Sequence, residues 1–426
     1  MKYYFIGIKG SGMSSLALIL KGLGHEVVGS DYSDYMFTEK GLKENNIEIR
    51  GFNINNLDGV DVVIVGHNFI GGDNIELHEA KRRNIKVLEY HKAIKELLVN
   101  YYSIAVSGSN GKSTTAALIA NVIDLVEDTS YLIGSGEGKG RHSKYFTFEA
   151  CEYKEHFLEY EPNVVLVNNI DYDHVDYFKS EESYINAFYK FINNAKNIVV
   201  VNGDDINLKK VNNVISFGVN NSCLIRVKNI SYDDGISYDL YCKGEFVSHF
   251  HFNLYGKHMI YNTLACISVC MALGIDINTI KQGIKNFNGV KRRFKETIIN
   301  GDVYIDDYAH HPSKIKAIIE AVKQKYKGKK LIAIYRPDRI TRLDYFSSLF
   351  NKELLNADKA FILPFINENE EEKECLKRFL TNHSEVNLLT DYWLKKISKE
   401  KGVIYLMMSS KDVSEVKESI LKYKVM

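Results

Sequence analysis

Ser107-Gly108-Ser109-Asn110-Gly111-Lys112-Ser113-Thr114 is the stretch that decides the fold. An apolar strand-like run, Ser103–Val106, leads into it, and a helix-forming run, Thr115–Ile123, leads away. Strand, glycine-bearing turn and helix N-terminus in that order make a phosphate cradle. Its free backbone N–H groups point at the anion, and the helix dipole favours negative charge. Gly108, Ser109, Asn110 and Gly111 form the turn, Lys112 reaches the β- and γ-phosphates, the Ser113 hydroxyl is placed to ligate Mg²⁺, and Thr114 continues into the helix. Val106 stands where the full G-x-x-x-x-G-K-[ST] pattern has its first glycine, so this is a variant loop. It predicts ATP binding on a parallel α/β sheet.

Toward the N-terminus a second glycine turn, Gly7-Ile8-Lys9-Gly10-Ser11-Gly12-Met13, follows the strand-like run Tyr3–Ile8. The strand after it, Glu26–Gly29, ends beside Asp31, placed about twenty residues on to bind a ribose. Helices over Met13–Leu23, Ile75–Arg83 and Ala93–Val99 alternate with strands at Val60–Val65 and Lys86–Leu88, which predicts a Rossmann-like N-terminal domain over residues 1–100. The central P-loop α/β domain, 101–294, adds strands at Val164–Val167 and Ile198–Val201, a β-rich insertion from 214 to 254 and an apolar helix, Tyr261–Leu273. A C-terminal Rossmann-like α/β domain, 295–426, opens with strand Val303–Asp306, helix Ser313–Tyr326 and strand Lys330–Ile334. The acidic run Asn367–Glu374 reads as a solvated loop or helix start.

Lys plus Arg number 55 against 54 Asp plus Glu, which gives no support for nucleic-acid or membrane-surface binding. Anionic ligands therefore need local devices. The six cysteines include no C-x-x-C pair, so neither a zinc site nor a disulfide framework is expected. Cys266 and Cys270, one helical turn apart, read as core. With neither a signal peptide nor a membrane span in view, a cytoplasmic enzyme is expected. Two phosphate turns on one chain also narrow the function. A dehydrogenase needs only the first, and a simple ATPase only the second.

Several separated motifs, in order, resemble those of the Mur ligases, in particular the branch that joins L-alanine to UDP-N-acetylmuramate. They span nearly the whole chain. The turn with Gly7, Gly10, Ser11, Gly12 and Met13, together with Asp31, resembles the UDP-sugar site, and Gly108–Thr114 resembles the ATP loop. Phe148-Glu149-Ala150-Cys151-Glu152-Tyr153 is similar to the segment whose second glutamate binds Mg²⁺, here Glu152. Asn168-Asn169-Ile170-Asp171-Tyr172-Asp173-His174 carries the histidine that serves a second Mg²⁺, here His174. Gly256–Asn262 resembles the segment with an adenine-contacting asparagine, Asn262, and Gly289–Phe294 supplies the ATP-phosphate arginines Arg292 and Arg293. Asp306-Asp307-Tyr308-Ala309-His310-His311-Pro312 resembles the entry to the third domain. The resemblance puts Asp307 with ATP, and Tyr308, His310, Arg339 and Arg342 with the amino acid.

What the resemblance implies is an ATP-dependent ligase. The γ-phosphoryl of ATP goes to the sugar's lactyl carboxylate, and the amine attacks the resulting acyl phosphate. Lys112, Glu152, His174, Arg293 and His310 are the implied catalytic residues, with Ser113, Glu152 and His174 holding Mg²⁺. A monomer or weak homodimer is implied. The sequence also departs from the branch. Asn110 replaces a histidine, Cys151 an aspartate, Met259 an asparagine and Asp338 a histidine. Leu406–Asp412 stands where a glycine-rich turn is usual, and an expected Ala-Arg-Glu element is missing after Pro364. The last two lie in the amino-acid domain, which leaves open the same chemistry with another amino acid or peptide, and a non-catalytic nucleotide-binding paralogue.

Overall fold

The computed structural model describes residues 1–425 as three sheets of five, ten and six strands. The first holds β1 (Lys2–Ile6), β2 (Glu26–Ser30), β3 (Glu48–Arg50), β4 (Val62–Val65) and β5 (Lys86–Glu89), in the order 3-2-1-4-5 with every pair parallel. All four residues of β4 are buried, as a parallel strand covered on both faces requires. The strand order reverses beside β1. The Gly7–Gly12 turn leaves β1 there, in the crevice where such sheets bind ligands.

The second sheet holds β6 (Tyr102–Ser107), β7 (Thr129–Ile133), β8 (Glu137–Lys139), β9 (Tyr145–Glu149), β10 (Val164–Val167), β11 (Ile198–Asn202), β12 (Ile215–Gly218), β13 (Ile225–Ser231), β14 (Ile236–Cys242) and β15 (Glu245–Phe252), in the order 15-14-13-12-11-10-6-9-7-8. β6 lies between β9 and β10, so the ATP loop sits inside the sheet, away from its edges. The insertion expected from 214 to 254 is β12 followed by the antiparallel meander β13–β15. The helix Lys257–Ala272 buries Cys266 and Cys270 completely.

The third sheet holds β16 (Lys295–Ile299), β17 (Asp302–Asp307), β18 (Leu331–Tyr335), β19 (Lys359–Ile362), β20 (Asn387–Leu388) and β21 (Ile404–Met408), in the order 16-17-21-18-19-20, parallel except for β16. Helix Pro312–Lys325 starts on a proline, whose missing N–H costs nothing at that position. The acidic run begins helix Glu370–Asn382. Asn369 caps it reciprocally with Glu372, and three glutamates occupy the positive end of its dipole.

The boundary near residue 100 is a change of sheet without a break in the core. Phe5, Leu16 and Ile19 share one apolar cluster with Phe146, Phe148 and Val165. Helix Ser11–Gly22 lies on β8 so closely that a methyl group on Gly138 or Gly140 would overlap the carbonyls of Ser15 and Ile19. The third sheet is tied to the second by polar contacts, described below. Among the described residues no helix is long and apolar enough to cross a membrane.

Candidate active site

The ATP loop takes its shape from glycines and asparagines. Gly108 and Gly111 have φ of +127° and +82°. A side chain on Gly111 would strike Asn262, and one on Gly108 would crowd Asn168 and Asn169. Ser109 N–H donates to the Asn169 carbonyl at 3.1 Å, and Asn110 N–H to Asn169 Oδ1 at 2.8 Å. Asn168 Nδ2 donates to Thr115 Oγ1 at 3.1 Å, which in turn donates to Asn262 Oδ1 at 3.3 Å. Asn262 is therefore a buried support of the loop in this structure. The Asn110 side chain reaches Asp171 at 3.2 Å and Ser313 at 3.3 Å.

Lys112 opens the following helix and donates to Glu152 Oε2 at 2.8 Å. The Glu152 side chain is 1% exposed and also meets Tyr184 Oη at 3.3 Å and His174 Nε2 at 3.4 Å. Burial alone would raise the Glu152 carboxyl, but Lys112 and His174 outweigh it and hold it down at about 2. The Lys112 ammonium is held above its usual value because the Glu152 charge overcomes the cost of burial. His174 sits at φ +56°, and its buried Nδ1 has no partner. Ser113 Oγ accepts from Arg293 at 3.5 Å, and Thr114 is half-buried beside it.

Glu152, His174 and the Ser113 hydroxyl thus converge on the loop. Among the described residues no group of three His, Cys, Asp or Glu side chains gathers to hold a metal by itself. That set fits a Mg²⁺ that takes its remaining ligands from phosphate oxygens and water.

From the third sheet, helix Ile340–Tyr345 and the loop before it face the segment after β10. Arg342, 4% exposed, donates through Nε and Nη2 to Asp173 at 3.1 and 3.0 Å, and through Nη1 to both oxygens of Asp338 at 2.8 Å. Every face of that guanidinium is therefore taken by protein carboxylates in this structure, at the position where the resemblance implies an amino-acid clamp. Arg339, 38% exposed, donates to Asp176 at 3.0 Å and lies over the Tyr153 ring, leaving donors free.

Arg292 donates to the carbonyls of Ser409, Ser410 and Lys411 and pairs with Asp306, so in this structure it holds the turn after β21. Arg293 reaches Ser113 of the ATP loop and lies 4.9 Å from the Tyr308 ring. Asp307 accepts from the N–H groups of Phe294 and Ala309, both at 2.8 Å, and shapes the hinge; burial raises its carboxyl. Tyr308 and Arg293 line a small pocket with Phe37 and Ser135, where all three sheets contribute.

His310 Nδ1–H donates to the Tyr308 carbonyl at 2.8 Å, and its Nε2 faces the Lys314 amine at 3.4 Å. Burial, then Lys314, keeps the His310 imidazole well below its usual value, and burial brings the Lys314 amine down to about 8. The sequence reading gave no site role to Asp173, Asp176, Tyr184 or Lys314, and named Asp338 only as a departure from the branch. For Asp173 and Asp176 the signal was their place around His174, in the same strand-end segment.

At the first sheet, Gly7 at φ +84° lies against the Phe69 ring, and Gly12 against the Tyr90 hydroxyl. Asp31 accepts from Lys9 N–H at 2.7 Å and Tyr32 N–H at 2.9 Å. The Ser11 carbonyl accepts from Ser14 and Ser15, and Gly10 N–H closes the turn onto the Gly7 carbonyl. The Met13 side chain is buried in the core beside Gly10 and Gly66.

Three family models match the chain in order: the Mur ligase family catalytic domain over residues 2–102, the Mur ligase middle domain over 106–270, and the Mur ligase glutamate ligase domain over 292–405. The fold is similar to the UDP-N-acetylmuramate–alanine ligase of Thermotoga maritima, with a TM-score of 0.83 at 23% identity over 100% of this chain and 98% of that one. It is similar to a murein peptide ligase of Psychrobacter arcticus, with a TM-score of 0.75 at 21% identity over 99% and 98%. A MurF ligase of Thermotoga maritima in complex with ADP gives 0.61 at 17% identity over 93% of each chain. With these domains present in order along a three-sheet α/β chain, the protein belongs to the Mur ligase family and is an ATP-dependent, amide-bond-forming ligase.

Proposed function

We propose that this ligase joins L-alanine to UDP-N-acetylmuramate. The observation that carries the reading is the meeting of three chemistries at one place. The first is a phosphate loop with Lys112 and Arg293, the second the pair Glu152 and His174, and the third a half-exposed arginine, Arg339, from the third sheet, which spends one nitrogen on Asp176. The carboxylate of the sugar acid is a poor acyl group because its oxygen leaves badly. Transfer of the γ-phosphoryl to that oxygen releases ADP and gives an acyl phosphate. The amine nitrogen then bonds to the acyl carbon, phosphate departs with the C–O electron pair, and the ammonium proton is lost.

Lys112 and Arg293 offset the phosphate charge that otherwise repels the carboxylate. Ser113, Glu152 and His174 would hold Mg²⁺, which supplies further charge neutralisation when bound. Arg339 orients the incoming carboxylate. At the first sheet, Tyr32, Phe52 and Phe69 form a triangle with ring centroids 5.2–5.7 Å apart beside Asp31 and Gly7, an apolar face suited to a uracil.

A second reading, the same chemistry with a peptide or another amino acid, is favoured by one observation. Asp338 and Asp173 occupy Arg342, which leaves one arginine where the resemblance implies two. Phosphate release from ATP, Mg²⁺ and UDP-N-acetylmuramate decides between them, with L-alanine, L-serine, glycine or L-alanyl-γ-D-glutamyl-meso-diaminopimelate added singly. Release requiring both sugar and L-alanine supports the first reading, and release with the peptide alone supports the second. No release with any acceptor would overturn both.

A further inference from the structure

The Gly7–Gly12 turn has a shape suited to a diphosphate but no free cation of its own. Its one lysine, Lys9, is buried and consumed. The ammonium pairs with Glu39 at 2.9 Å and donates to the carbonyls of Tyr32 at 2.6 Å and Asp34 at 2.8 Å. A lysine and three histidines gather at the seam between the first and second sheets, beyond the turn. Gly66 N–H donates to the Ile6 carbonyl and Gly66 lies near Met13, so the next residue, His67, borders the turn. Tyr90 lies against Gly12, so the next residue, His91, borders it as well.

From the second sheet, residues 154–156 complete the group. The Lys154 ammonium donates to His67 Nε2 at 2.5 Å, and His156 stacks on His91 with centroids 4.5 Å apart and lies 5.7 Å from His67. Lys154 has no carboxylate partner among the described residues, and it is held at φ +55°, a conformation that a side-chain-bearing residue adopts at a cost. Glu89, the neighbouring carboxylate, is engaged with Lys92 at 3.1 Å and stands 3.9 Å from His91. Burial lowers all three histidines, and the neighbouring imidazoles and Lys154 help bring His156 to about 4, so the histidines are neutral at pH 7 and Lys154 is the cation of the group.

We infer that Lys154 is the counter-charge for the diphosphate of the sugar nucleotide, with His67, His91 and His156 as the imidazoles that position it, so that the second sheet's own loop completes the first sheet's binding turn. The inference rests on the sugar-nucleotide reading above and deepens it. A diphosphate on the turn would exchange the Lys154 bond to His67 for a charge-assisted hydrogen bond. Binding of the nucleotide would then also fasten the seam.

The test is calorimetric titration of the full chain with UDP, UDP-N-acetylmuramate and ATP, in the native sequence and in Lys154→Met, Lys154→Arg and His67→Gln. Lys154→Met is expected to weaken UDP and UDP-N-acetylmuramate alike by at least about tenfold, since both carry the diphosphate. ATP affinity should stay within about twofold, which also reports that the variant is folded. Lys154→Arg should keep most of the affinity, and His67→Gln should show an intermediate loss. UDP affinity unchanged in a Lys154→Met protein that still binds ATP would overturn the inference alone. A native protein that binds ATP but neither uridine nucleotide would overturn the sugar-nucleotide reading first, and the inference with it.

Discussion

Lys112 and Glu152 carry opposite charges 2.8 Å apart in a site almost closed to water, so neither can be removed without stranding the other. Breaking a buried pair from one side costs about 3–5 kcal/mol. Glu152→Gln should lose stability of that order at pH 7 in chemical denaturation. The sign with pH follows from the carboxyl being held at about 2. Its contribution is complete above the usual carboxylate range and is lost as pH falls toward 2, so the difference between native and variant proteins narrows only in acid. Lys112→Ala should reduce kcat/KM for ATP-dependent ligation by about 10²–10³-fold, the usual effect of deleting one charge-stabilising donor.

Lys314 gives the opposite sign. Its amine is brought down to about 8, so the folded state loses stability by keeping it protonated below that pH, and the penalty fades as pH rises toward 10.5. Lys314→Met should therefore be more stable than the native chain at pH 7, by up to about 3 kcal/mol. The gap should close by pH 10, as thermal melts across that range will read.

At the scale of elements, the turn after β21 depends on a residue far from it in sequence. Arg292 precedes the third sheet and satisfies the carbonyls of Ser409, Ser410 and Lys411, while Ser410 Oγ donates to Asp338 at 2.8 Å, the carboxylate that holds Arg342. The turn and the amino-acid side are thus one network. Arg292→Ala should raise the KM for the amino acid several-fold and leave the KM for ATP near the native value. Arg293→Ala, facing Ser113, should do the reverse. Steady-state kinetics with each substrate varied will separate the two arginines.

The same element shows what the sequence could and could not convey. Buried strands such as Val62–Val65 and Val164–Val167 are continuous apolar runs, and the phosphate turns have fixed spacing, so both were legible. β7 and β8 were not read, because β8 is three half-buried residues whose reason for existing is a helix more than a hundred residues earlier. Helix Glu181–Asn193 was not read although Ser180 and Ser183 form its cap. The contacts of Arg292 with Ser409 and of Arg342 with Asp173 could not be read, because those partners lie more than a hundred residues away, although Asp338, one turn before Arg342, was in view.

In the whole molecule, the two seams between sheets are built differently, and that difference predicts which part moves. The first and second sheets share an apolar core and a helix-on-strand contact with no room for a side chain at Gly138 or Gly140. The third sheet shares no core cluster with the second and meets it in a few apolar contacts, Val175 on the third core, Tyr172 on Tyr345 and Tyr255 on Phe294. It is held there by directional contacts, with Arg342 on Asp173, Arg339 on Asp176, Asn110 on Ser313, and Gly256 N–H donating to Gln324 at 2.6 Å. Such contacts can be exchanged for water when the sheets part, whereas an exposed apolar core cannot, so opening should occur at the second seam and admit the amino acid there. Asp173→Ala removes the buried anchor of that seam while leaving Arg342 its bonds to Asp338. The variant should keep native ATP affinity and lose stability by about 3–5 kcal/mol, as expected for a buried pair broken from one side. It should also show a larger radius of gyration by small-angle scattering and a kcat/KM for the amino acid lower by about 10²-fold, the scale of a misplaced reacting group. Gly138→Val should instead lower thermal stability across the first and second sheets together, because it separates a shared core. If Asp173→Ala left both the radius and the kinetics unchanged, the aspartate–arginine contact would be incidental to docking, and the third sheet's position would have to be set by the hinge around Asp307 alone.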